Sequence, residues 1–73
     1  MKRDKYLIEL GNNLRAERNR LKLSQEELAE KCGLLRQHIS DIENAKTDIR
    51  FSTLIEILTG LDLPFEKLFE LKK

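Results

Sequence analysis

The sequence has no tryptophan and no valine, and holds one proline, one histidine and one cysteine, Cys32; each scarcity removes a class of structure. With aromatics limited to Tyr6, Phe51, Phe65 and Phe69, the core has to be built from leucine, isoleucine and alanine. A lone cysteine excludes an intramolecular disulfide, and with a single histidine it cannot complete a zinc site of four protein ligands. No run alternates at period two with β-branched enrichment, so strands are not expected. The absence of a leading apolar stretch excludes a recognisable signal peptide or membrane span, which leads us to expect a cytoplasmic protein with no membrane partner. Catalytic residues, metal and cofactor are likewise not expected. Glu26, Glu27 and Glu30 form an acidic cluster, but Glu27 serves a helix cap, the other two belong to a solvated face, and no partner suggests acid/base work.

What is present fits a single small domain over residues 1–73. A chain of 73 residues buries only about 60 to 65% of its unfolded surface, which leaves little room for an enclosed cavity or a separate sensor domain. Hydrophobic residues make up 40% and charged ones 37%, a balance suited to a compact, well-solvated helical domain. The net charge of +1 is unevenly spread. Residues 1–22 carry seven Lys/Arg against three Asp/Glu, residues 23–49 three against six, and residues 50–73 four against four. A local positive rim can hold phosphates even where total charge is near zero.

Punctuation divides the chain into five helices, an all-α fold. The first is expected from about Asp4 to Arg20, with Leu7, Leu10, Leu14 and Leu21 at helical spacing and Gly11 placed for a close helix crossing. Ser24 opens the second as N-cap, and Glu27 completes a capping box. Leu28, Ala29 and Cys32 form its apolar stripe, and Gly33 falls where a helix needs a left-handed residue. The third runs from Leu35 or Arg36 to Asn44, with Ile39 and Ile42 inward and Arg36, Gln37, Ser40 and Asp41 outward. A loop over residues 45–51 leads to a fourth helix near residues 52–59, ended by Gly60. A last helix begins at Asp62 or Leu63 with Pro64 in its first turn.

Two short helices joined at Gly33, the second with a polar outer face, are the ingredients of a helix-turn-helix over about residues 24–44. A helix fits the major groove of B-DNA, where Arg and Gln match guanine and adenine edges with paired hydrogen bonds. Arg36 and Gln37 sit in the first turn of the third helix, the end that enters the groove, and the acidic residues nearby are expected to face away. His38 is placed as a phosphate neighbour rather than a metal ligand.

Four stretches carry a resemblance to a known family: "LRAER" (14–18), "LSQEELAEKCG" (23–33), "ISDIENAK" (39–46) and "TLIEILTGLDL" (53–63). Over about residues 10–69 the chain resembles the Cro/C1-type (Xre-like) helix-turn-helix regulators, which include the lambdoid phage repressors. The resemblance implies a compact five-helix, lambda-repressor-like bundle that binds double-stranded operator DNA, usually as a two-fold homodimer. It implies that Gln25 contacts a phosphate and braces the recognition helix, and that Arg36, Gln37 and Ser40 read bases. By the same likeness Asn44, Lys46 and Thr47 hold phosphates, and Arg18 pairs with Glu43 to tie the first helix to the third. Three positions depart from the family pattern: Leu35 stands in place of a Ser/Thr cap, Ile49 in place of a loop proline, and Ala45 in place of a glycine. Left-handed backbone is costly for alanine, so Asn44 is expected to adopt it instead.

The apolar stripe Phe65, Leu68, Phe69 and Leu71 exceeds what the end of a small domain needs. Part of it is expected to close the core, and Phe65, Leu68 and Phe69 are candidates for a dimer interface. Lys2, Arg3 and Lys5 suit a soluble terminus or phosphate neighbours. The function expected is a sequence-specific DNA-binding transcriptional regulator, a repressor by preference, acting as a homodimer. The rival is a protein-interaction module, antitoxin-like or bound to a cognate toxin or other protein, that keeps the fold without specific DNA binding.

Overall fold

The computed structural model describes residues 2–69, with side chains from 4 to 68, and five helices follow the apolar spacing. They are α1 (Lys2–Arg20), α2 (Gln25–Cys32), α3 (Arg36–Glu43), α4 (Phe51–Leu61) and α5 (Glu66–Phe69). No strand occurs among the described residues. None of the described helices is long and apolar enough to cross a membrane. The expected elements are all present. Their ends differ: α1 starts earlier than expected, α4 runs past Gly60, and α5 starts later and is short.

One apolar cluster joins the helices, drawing Leu10 and Leu14 from α1, Leu28 from α2, Ile39 and Ile42 from α3, and Ile57 from α4. Helix α1 packs on α3 and α5, while α2 packs on α3 and α4, so α3 is held between two neighbours. Two glycines make the crossings close. A Cβ on Gly11 would meet the Ile42 carbonyl oxygen at 2.6 Å and that of Glu43 at 2.7 Å, so the backbone of α1 rests directly on the end of α3, as its place in the sequence suggested. A Cβ on Gly60 would meet Cys32 Sγ at 2.7 Å and the Lys31 carbonyl oxygen at 3.1 Å. Gly60 therefore does not end α4; it lets α4 lie against the end of α2.

The first four helices end in one way. A left-handed residue stands one or two positions past each helix, and the N–H after it reaches back to a carbonyl five residues earlier: Leu23 to Arg18 at 3.0 Å, Leu34 to Ala29 at 2.8 Å, Lys46 to Asp41 at 2.8 Å and Leu63 to Leu58 at 3.0 Å. Only the second of these left-handed positions is glycine. The others are Lys22 (φ 60°), Ala45 (φ 57°) and Asp62 (φ 55°), beside Gly33 (φ 70°). Asn44 remains at φ −99°, so the expectation that it would relieve Ala45 is wrong. The reach-back bond of Lys46 requires the twist at the second residue past Glu43, which is Ala45. Because Asp62 closes α4 in this way, α5 cannot begin there, and its first turn forms after Pro64.

Candidate nucleic-acid interface

The pair α2 and α3 is positioned from its caps inward. Ser24 Oγ accepts the Glu27 N–H at 3.0 Å while the Glu27 carboxylate accepts the Ser24 N–H at 2.8 Å, completing the expected capping box. The Ser24 backbone N–H, with its hydroxyl, holds the Glu27 carboxyl below the usual carboxylate range. Leu35 has the extended backbone of an N-cap (φ −83°, ψ 145°) but gives α3 no side-chain bond, and it stands 77% exposed. Helix α3 begins at Arg36 all the same.

Behind α3 lies a buried carboxylate. The Glu43 side chain is fully buried, and Arg18 Nε donates to its Oε2 at 2.6 Å and Arg18 Nη2 to its Oε1 at 3.1 Å. The expected Arg18–Glu43 pair is therefore formed, in two-pronged geometry. Gln25 Nε2 donates to Glu43 Oε1 at 3.1 Å, and Arg18 Nη1 also donates to the Leu23 carbonyl at 2.8 Å. Arg15 adds a second cation, its Nη2 donating to the Glu43 carbonyl at 2.9 Å and to Asn44 Oδ1 at 3.2 Å. Burying one carboxylate among two guanidiniums and an amide is tolerable because its oxygens are bonded, and no buried side-chain polar atom lacks a partner among the described residues. The cluster joins α1, the start of α2 and the end of α3. It fixes where α3 lies on the domain.

The outer face of α3 carries the candidate readers. Arg36 and Gln37 are exposed, and Ser40 and His38 are half-buried. Gln37 Nε2 donates to Asp41 Oδ1 at 2.9 Å. Asp41 lies on the outward face with Gln37, where helical spacing put it; what was passed over is the bond between them, although a Gln–Asp pair at (i, i+4) was the available signal. Asn44 Nδ2 donates to the Ser40 carbonyl at 2.9 Å, so this phosphate candidate already braces the end of α3. Lys46 is exposed just beyond it, and Thr47 Oγ1 donates to the Asp48 carbonyl at 3.1 Å. Gln25 turns inward to Glu43, at the end of α3, rather than out towards the exposed face. Lys46 and Thr47 border a surface depression of about 190 Å³ with Asp4, Leu7, Ala45 and Asp48.

The three dimer candidates part company. Leu68 is 1% exposed and belongs to the core, which removes it from any interface; the Asn13 amide caps its carbonyl at 2.9 Å. The Phe69 side chain lies outside the described residues, as do those of Lys2 and Arg3 and the whole of Leu71. Phe65 is 47% exposed and its ring lies 6.3 Å, centre to centre, from that of Phe51, itself 67% exposed. Ile55, one helical turn from Phe51 and 41% exposed, shares that side of α4. Phe51 was missed because it was read as the end of the loop rather than the start of α4, and Ile55 because its helix was read only for its core stripe. Cys32 is core, as expected, and burial followed by the charge of Glu56 pushes its thiol pKa up.

Comparison with known proteins agrees with this geometry. The HTH_3 helix-turn-helix family profile matches residues 14–68. The control protein C.SmaI of Serratia marcescens is 41% identical over 59 residues, covering 81% of this chain and 70% of that protein. The restriction-modification controller protein C.AhdI from Aeromonas hydrophila superposes with a TM-score of 0.83 at 32% identity, over 86% of this chain and 96% of that one. The restriction-modification controller protein C.Esp1396I does so with a TM-score of 0.82 at 30% identity, over 93% and 95%. A bundle that seats an exposed Arg-Gln helix end on a buried Arg-Glu-Gln cluster, and matches these proteins along most of its length, belongs to the HTH_3 (Cro/C1-type) helix-turn-helix family of DNA-binding transcriptional regulators.

Proposed function

We propose that this chain is a sequence-specific operator-binding regulator that acts in the cytoplasm as a homodimer, in the manner of a controller of restriction-modification genes. The observation that carries the reading is the outer face of α3, with Arg36 exposed at its groove-entering end and the whole helix fixed from behind by Glu43. The controller role is supported by two structures described as restriction-modification controller proteins and by a relative described as a control protein, each of which matches most of this chain. Repression follows where the operator overlaps a promoter, since a bound dimer excludes polymerase. In this arrangement Arg36, Gln37 and Ser40 read bases, and Gln25, His38, Asn44, Lys46 and Thr47 line the phosphates. Two copies meet through the Phe51–Phe65 aromatic pair and Ile55.

Selection of bound duplexes from a random pool tests the function. The expected product is a two-fold sequence whose half-sites lie about one helical turn, roughly 34 Å, apart. Arg36→Ala then costs about 1 to 3 kcal/mol on that site and relaxes one base pair, while Lys46→Ala weakens all duplexes alike and lowers the salt dependence. Failure to enrich any sequence would favour the fold as a protein-interaction module, with a toxin or other protein as its partner.

A further inference from the structure

The core-facing residues of α3 are Ile39, Ile42 and Glu43. The positions opposite them at helical spacing are Gln37, Asp41 and Asn44, with Arg36 and Ser40 to one side. The middle of the outward face therefore holds an anion, a group that phosphates repel. That anion is engaged: its Oδ1 accepts Gln37 Nε2 at 2.9 Å. Its backbone carbonyl separately accepts the Lys46 N–H that closes the helix, so the two parts of Asp41 have distinct tasks.

Building on the DNA-reading function proposed above, we propose that Asp41 is a positioning residue that sets the base preference of Gln37, favouring adenine and rejecting guanine. A glutamine amide has two hydrogens and one acceptor oxygen. With one hydrogen given to Asp41, the remaining hydrogen and Oε1 form the donor and acceptor pair that matches adenine N7 and N6 in the major groove. Guanine presents two acceptors there, N7 and O6. A glutamine free of Asp41 turns its amide to donate to these atoms. A glutamine held by Asp41 keeps its oxygen in place, and the acceptor-only carboxylate stands beside the same two guanine acceptors. Both effects act against guanine.

The test is duplex selection and competition binding with wild type, Asp41→Asn, Asp41→Ala, Gln37→Ala and the double variant Gln37→Ala with Asp41→Ala, each shown folded by circular dichroism. Wild type is expected to select adenine at one position per half-site. Asp41→Ala should reduce the adenine-over-guanine ratio at that position by about five- to hundred-fold, the range of one paired contact. Asp41→Asn keeps an acceptor oxygen opposite Gln37 Nε2 and should retain more of the preference than Asp41→Ala. In the Gln37→Ala background only the direct repulsion between the carboxylate and guanine remains, so removing Asp41 should change the ratio much less than it does with Gln37 present. The inference is overturned if Asp41→Ala changes affinity for all duplexes equally and leaves the base ratio intact, because Asp41 then acts only as diffuse charge. A wild type that enriches no sequence fails the DNA-reading function itself, and this inference with it, which is a separate outcome from a selected site that ignores Asp41.

Discussion

At the scale of single residues, Glu43 and Ala45 define what α3 rests on. Removing one partner of a buried pair strands the other charge, so Glu43→Ala leaves Arg18, whose side chain is 14% exposed, without its counter-ion. We expect a loss of about 3 to 5 kcal/mol in urea denaturation; a loss below about 1 kcal/mol would mean that water and the remaining amides replace the carboxylate. Two residues on, Ala45 holds φ 57°, where a Cβ is unfavourable and glycine is not. Ala45→Gly is expected to stabilise the domain by about 1 kcal/mol, read as a higher midpoint at unchanged denaturant slope. A lower midpoint would show that the flexibility glycine adds to the unfolded chain outweighs the relief of strain.

At the scale of elements, the helix starts differ in how they are secured. Helix α2 has a complete capping box, while α3 begins at a leucine whose backbone already has the cap conformation and whose side chain gives nothing. Leu35→Ser supplies the missing acceptor and should raise stability by about 0.5 to 2 kcal/mol in thermal denaturation monitored at 222 nm. No gain would indicate that the exposed leucine covers apolar surface that serine uncovers. The capping box and Gly33 were legible in the sequence because their chemistry is local and specific to residue type. The Arg18–Glu43 pair was legible only through likeness to a family, since its partners lie far apart in sequence. Helix ends at Lys22, Ala45 and Asp62 were not legible: the reach-back hydrogen bonds and packing of the following residue impose the left-handed turn against local preference. Gly60 was misread because one residue type serves both turns and close crossings, and only the neighbouring helix tells them apart. Within the site, the outward place of Asp41 was legible from helical spacing, but its bond to Gln37 was not read, because the sign of its charge argued against a place beside DNA.

At the scale of the whole molecule, the domain measures 32 × 21 × 20 Å and the matched helix-turn-helix pattern supplies one reading helix. On the two-fold operator proposed above, half-sites one turn apart would lie about 34 Å from each other, so one copy would not occupy both and the site would take two. Phe65 is where that requirement is tested, because it is exposed and its replacement leaves the core cluster whole. Phe65→Lys is expected to give a folded monomer in sedimentation equilibrium, with operator affinity reduced at least tenfold, on the order of 1.4 kcal/mol or more. An unchanged dimer would move the interface to another surface.

The seating of α3 against Gly11, Arg18 and Gln25 has a consequence for descent as well as for stability. The groups that hold the helix in place lie on its inner side and at its end, whereas the side chains of Gln37 and Asp41 bond to each other on its outer face. If the outer positions read bases as proposed, a lineage can rewrite them and acquire a new address on the genome while the socket that carries them stays as it is.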